Sequence, residues 1–265
     1  MKLFFTLSLL FALLDAKIYY AKVEPYEIRD ISSNVSGLVV HADESLVGTK
    51  LTEKPYIGID FELDKKELAA VREKLMYLKS VIEINEAVLV NMDESLVKKR
   101  ENYKKIEPLK FKSAVDKDRE FYDLITSENL YLSTRKEIQN LKIQITDLKY
   151  REAQLQRSIE DKNLVAKNFV LYEMLVQTGQ VVGMATPLAK VADTSKAKLT
   201  IYLDEADVVG AQKKVVYIDG EKSSYKISRL LRIADGKNIS KYMAQIITNP
   251  PELFSKLVKV ELRDE

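Results

Sequence analysis

Two stretches without a single glycine or proline, 61–107 and 113–163, constrain this chain of 265 residues more than any other feature. Within the first, Leu68, Val71, Leu75, Leu78, Ile82, Asn85, Leu89, Met92, Leu96, Lys99, Tyr103 and Ile106 alternate steps of three and four, and ten of those twelve are apolar or aromatic. A 3-4 repeat keeps one stripe facing a partner helix, which is the coiled-coil rule. Polar Asn85 inside the stripe is expected to fix register. Pro108 must end this helix, because its ring blocks the preceding turn and it lacks an N–H. The pattern then restarts. Ser113, with Asp116 three residues on, reads as an N-cap with an acidic first turn. Phe121, Leu124, Ile125, Leu130 and Leu132 open the second arm, and Ile138, Leu141, Ile145, Leu148, Leu155 and Ile159 continue its stripe, with Glu152 the one interruption. Two arms joined by so short a loop lie antiparallel. Each arm, of roughly 40–50 residues, should reach about 60–75 Å at ~1.5 Å per residue.

The composition excludes several kinds of chemistry. There is no cysteine, so disulfides, thiolate metal sites and cysteine nucleophiles are absent. His41 is the one histidine, and no cysteine or second histidine can join it as a metal ligand; it reads as a surface or turn residue. Glycine occurs only eight times, and neither dinucleotide nor P-loop motifs are present. With 42 basic against 40 acidic residues the net charge is +2, too even for a dedicated nucleic-acid binder. The acids Asp204, Glu205 and Asp207 lack any surrounding pocket signature and read as loop-solvating charges. No enzyme activity and no cofactor are expected.

At the N-terminus Met1-Lys2 precedes twelve uncharged residues, Leu3 to Leu14, before Asp15-Ala16. A short basic start, a short apolar run and a small exit residue fit a signal peptide cleaved near Ala16, with Ala21 as the second choice. The run falls short of the ~20 residues that a membrane span needs.

The segments on either side of the hairpin resemble each other. Before it, 34–61 reads as a short apolar strand, a Val-Gly turn and a second strand ending Gly58-Ile59-Asp60. After it, 168–193 reads as a strand, a turn at Thr178-Gly179-Gln180-Val181-Val182-Gly183, and a strand through Pro187 to Asp193. Each half would leave an apolar face bare unless the two pair. From Asp193 onward, 198–203, 214–219, 225–233, 242–247 and 256–262 read as further strands, at a spacing that suits a small antiparallel barrel.

The order of half β-module, α-hairpin, half β-module and all-β stretch resembles the HlyD-type membrane fusion proteins, the periplasmic adaptors of tripartite efflux and type I secretion systems. The run from Val176 through Gly179, Gly183, Pro187 and Leu188 to Asp193, followed by Leu199 to Asp207, is similar to that family's pattern, and the resemblance extends from Tyr26 to Leu262. It implies an α+β fold: a long antiparallel coiled-coil hairpin inserted in a split lipoyl-like β-sandwich, followed by a small β-barrel. The expected boundaries are 1–16 for the signal peptide, 17–62 for the N-terminal strand and first lipoyl-like half, 63–163 for the hairpin, 164–194 for the second half and 195–265 for the barrel. The implied role is a non-catalytic periplasmic adaptor, peripheral to the inner membrane. Its implied partners are an inner-membrane transporter of ABC or RND type, a TolC-like outer-membrane channel and other copies of itself in a ring, commonly of six. A carrier of biotin or lipoate is not implied, because no Met-Lys-Met or Asp-Lys-Ala acceptor turn occurs. The alternative is a coiled-coil envelope scaffold or spacer without a transport role.

The resemblance also points to the hairpin tip. Adaptors that meet TolC-like ducts share an Arg, a Leu four residues later and a Ser seven after that. Ile106 and Ser113 stand at the apolar and Ser positions, while Asn102 stands where the family has Arg, with Arg100 and Lys105 nearby. These five residues are the expected contact to the outer-membrane channel.

Overall fold

The computed structural model describes residues 17–234 and 240–264; the expected signal peptide lies outside the described residues. In chain order the elements begin with β1 (Ile18–Ser32), β2 (Gly37–Ala42), β3 (Ile57–Ile59), α1 (Glu62–Ile106) and α2 (Ala114–Lys162). They continue with β4 (Asn163–Leu164), β5 (Val170–Met174), β6 (Val181–Val182), β7 (Pro187–Asp204) and α3 (Glu205–Val208). The remainder is β8 (Val215–Ile218), β9 (Glu221–Lys222), β10 (Ile227–Ala234), β11 (Lys241–Thr248) and β12 (Leu257–Arg263). The described chain divides into two compact units, one of 34–40 and 57–164, the other of 17–33, 41–56 and 165–264.

The first unit is the hairpin and its base. Helices of 45 and 49 residues follow from the two breaker-free stretches, and at ~1.5 Å per residue they run about 68 and 74 Å. Glu62 and Asp64 sit in the first turn of α1, where acidic charge complements the helix dipole. The stripe is buried at Leu68, Val71, Leu75, Ile82 and Leu96, against Leu124, Ile138, Leu141 and Leu155 of α2. Ion pairs hold the register from base to tip: Asp64 with Lys162, Glu67 with Arg151, Arg72 with Glu152, Glu86 with Lys142, and Arg100 with Glu128. Glu152, the polar interruption of the second stripe, is thus the partner of Arg72, 2.7 Å from its Nε. Lys99 is likewise accommodated, its Nζ lying 2.7 Å from Asp123 Oδ2 and 2.8 Å from Ser127 Oγ. Asn85 is half-buried in a polar recess with Ser133, Thr134, Glu137 and Asn140. At the base β3 and β4 pair antiparallel, Ile57 opposite Leu164, and the Asp60 N–H donates to the Leu38 carbonyl. Val39, Ile57 and Ile59 are wholly buried there. Gly37 is required by close approach, since a Cβ at this position would meet Ile59 Cγ2 at 2.6 Å.

The opening of the second arm departs from the sequence reading. Of Phe121, Leu124, Ile125, Leu130 and Leu132, only Leu124 is buried. The seam towards the tip continues instead through Thr134, whose hydroxyl donates to the Leu130 carbonyl at 3.1 Å and lies 3.7 Å from Met92 Sδ, and through Ser127. Leu96 of α1 is buried between these two polar contacts.

The second unit is antiparallel β. Its main sheet runs β10-β11-β7-β1-β12-β8-β9, with β5 also on β7. The strands read from the sequence after Asp193 are all present. β7 runs unbroken across 194–195, with Leu188, Ala189, Val191 and Ala192 buried before the more exposed stretch 193–196 and Ala197, Leu199, Ile201 and Leu203 buried after it. β1 likewise runs unbroken from the other terminus. Ile18 to Lys22 pair with β12, Val23 to Ser32 with β7, and the register shifts between Pro25 and Glu27, where the proline cannot donate to the ladder. Tyr19, Ala21, Val23, Leu199, Ile201, Val216, Ala244, Ile246 and Val260 share one core. The segments flanking the hairpin do meet: the N–H groups of Gly48 and Leu51 donate to the carbonyls of Leu171 and Phe169, and the Leu171 N–H donates back to Thr49.

Candidate partner-binding site

The hairpin tip is built by a stop, a loop and a cap. α1 ends at Ile106, with the Glu107 N–H still bonded to the Tyr103 carbonyl at 2.9 Å, and Pro108 then prevents another turn. The Leu109 N–H donates to the Ile106 carbonyl at 3.0 Å, which closes the turn. Ser113 restarts the helix: its Oγ accepts from the Asp116 N–H at 3.1 Å and donates to Asp116 Oδ2 at 2.8 Å. Lys117 reaches across, Nζ to the Glu107 carbonyl at 2.7 Å, and satisfies an end-of-helix acceptor. Below the loop, the rings of Tyr103 and Phe121 stand 5.6 Å apart and close the seam.

The five sequence-named residues fall at the tip or within two turns of it, in different states. Ile106 is half-buried at the last turn of α1. Ser113 is exposed, but its hydroxyl is engaged in the cap. Asn102 and Lys105 are exposed. Arg100 is turned to its own hairpin, with Nη2 2.8 Å from Glu128 Oε1.

Two further residues stand out. Phe111 is 81% exposed at the apex of the loop and Val115 is 69% exposed in the first turn of α2. Neither belongs to a 3-4 stripe, so a search for periodicity passes over them. The available signal is local: an aromatic between two lysines, Lys110-Phe111-Lys112, directly after a proline stop.

Elsewhere the charged clusters serve the fold. Asp204 pairs with Lys17 and Lys241, and Asp207 accepts from the Tyr19 hydroxyl at 2.5 Å and from Lys17 at 3.2 Å. The Tyr19 hydroxyl, and then Lys17, outweigh partial burial and hold the Asp207 carboxyl below the usual range. Burial first, and the Asp207 carboxylate second, push the Tyr19 phenol up. His41 is exposed on β2. Among the described residues no helix is long and apolar enough to cross a membrane.

No protein family and no curated protein matches the sequence. Solved structures do match the fold. MacA from Actinobacillus actinomycetemcomitans superimposes with a TM-score of 0.59 at 17% identity, over 93% of this chain and 78% of that one. A MacA-MexA chimera carrying the Pseudomonas aeruginosa MexA α-hairpin domain gives 0.58 at 15% identity, over 94% and 82%. The membrane fusion protein Spr0693 from Streptococcus pneumoniae R6 gives 0.54 at 10% identity, over 94% and 100%. At such identities the likeness is one of fold. The α-hairpin, the antiparallel strands before and after it in the chain, and this likeness together identify the fold as that of the membrane fusion proteins.

Proposed function

We propose that the chain is a non-catalytic periplasmic adaptor that links an inner-membrane transporter, of ABC or RND type, to a TolC-like outer-membrane channel for efflux or secretion. On this reading the split lipoyl-like halves and the barrel form a collar that assembles as a ring, and the hairpin carries the contact to the channel at Ile106, Ser113, Asn102 and Lys105. The observation that supports it is the hairpin itself. Ion pairs spaced from Asp64 to Arg100 keep two long helices in register, and so present one loop of defined geometry at the far end. A rigid spacer with a shaped tip suits contact between two bodies held apart. The removal of a signal peptide near Ala16 would place the chain where such contacts occur.

Photo-crosslinking in cells tests this, with the reactive side chain placed at Asn102 and Lys105. The expected product is a covalent adduct with an outer-membrane channel protein, identified by mass. Adducts only between copies of this chain would favour an envelope spacer and overturn the adaptor reading.

A further inference from the structure

Charge is distributed unevenly along the hairpin. On the shaft, several basic side chains are matched across the two helices, as with Lys99 and Asp123, Arg100 and Glu128, Lys142 and Glu86, and Arg151 and Glu67, while others such as Lys74, Lys79, Arg135 and Lys149 make no ion pair among the described residues. At the tip no described lysine is matched by a carboxylate. Among the described residues Lys104, Lys105, Lys110 and Lys112 make no ion pair. From 104 to 117 five lysines face two acids, Glu107 and Asp116, a net of +3 where the whole chain carries only +2. Lys104 and Lys105 complement the carbonyl end of α1, but Lys110 and Lys112 lie in the loop and have no such use. Between them Phe111 holds an almost fully exposed ring.

We infer that Phe111 is an apolar anchor and Lys110 and Lys112 its electrostatic guides, so that the tip docks into an apolar pocket ringed by carboxylates on its partner protein. An exposed aromatic on a constrained loop gives large contact area at small entropic cost, and such residues dominate binding energy when a pocket desolvates them. Unpaired lysines around it steer the approach to an acidic rim and set the salt dependence. The acids Glu107, Asp116 and Asp118 stand among these lysines. A fixed protein surface can match that mixed pattern, whereas a uniformly anionic bilayer repels part of it. The inference rests on the adaptor reading and names the chemistry that the outer-membrane partner must offer. In this chain Phe111 supplies the recognition that the Arg position, occupied by Asn102, does not.

Binding of the full-length chain to the purified TolC-type channel of the same cell, in detergent and across a salt series, tests it. Vesicles of phosphatidylglycerol serve as a second probe. Phe111→Ser should weaken channel binding at least tenfold at every salt concentration. The double variant Lys110→Glu, Lys112→Glu should weaken it most at low salt and flatten the salt dependence. Both sites are exposed loop positions, and circular dichroism checks that helicity is unchanged. If both variants bind like the parent while Ile106→Asp abolishes binding, the tip docks through its helix end; the anchor is then wrong and the adaptor reading stands. If the parent fails to bind the channel, both readings fall; if it binds and none of the three variants weakens binding, the inference falls and the adaptor reading stands. If the parent binds the vesicles and not the channel, the partner is a lipid surface and the inference is overturned.

Discussion

The Arg100 guanidinium crosses the hairpin to Glu128, with Nε 2.9 Å and Nη2 2.8 Å from the same Oε1. A side chain held in this way is fixed to its own molecule, two turns below the loop. The pair is half-exposed, so its coupling should be small, about 0.2–1 kcal/mol. A double-mutant cycle of Arg100→Gln and Glu128→Gln, read by chemical denaturation, should return a value in that range and shrink it at high salt. Partner binding should not change with either substitution. A selective loss of binding in Arg100→Gln alone would return Arg100 to the contact surface.

Ser113 spends both functions of its hydroxyl on Asp116, accepting from the amide and donating to the carboxylate. Its first effect is therefore on how α2 starts. Ser113→Ala should cost about 1 kcal/mol locally, seen as roughly fivefold faster hydrogen exchange at the Asp116 amide. Ser113→Asp should restore most of that protection. Loss of channel binding with exchange unaltered would instead assign the hydroxyl to the partner.

Much of this architecture can be read directly from the residues. The stripe from Leu68 to Leu96 predicts the buried face of α1, because a long helix reports its environment every three or four positions. The polar interruptions mislead where apolar residues are followed instead of register. Leu130 and Leu132 look like core, yet Thr134, Ser127 and Leu124 occupy the seam. The pairing of Ile18 to Lys22 with β12 is invisible locally, since the partner strand lies at the other end of the chain. Phe111 is missed for a related reason. A single exposed aromatic carries no period, and only its exposure in the folded loop separates it from a core residue.

At the base of the hairpin Asp64 faces two cations and a hydroxyl. Ser158 Oγ donates to its Oδ2 at 2.6 Å and Lys162 Nζ stands 2.9 Å from the same oxygen. Burial alone would push this carboxyl up; the Ser158 hydroxyl and the Lys162 ammonium, with Arg151 behind them, outweigh it and hold the pKa below its ordinary value. The folded hairpin thus binds a proton on Asp64 less readily than the unfolded chain, whose carboxyl titrates near ~4. The stabilisation is full above that value and disappears as pH falls through the lower folded one. Asp64→Asn should therefore reduce stability at pH 7, and the difference from the parent should close as pH is lowered through that window. Denaturation curves at pH 7, 5, 4 and 3 measure it. A difference that stays constant across all four would mean that Asp64 acts through packing and not through its charge.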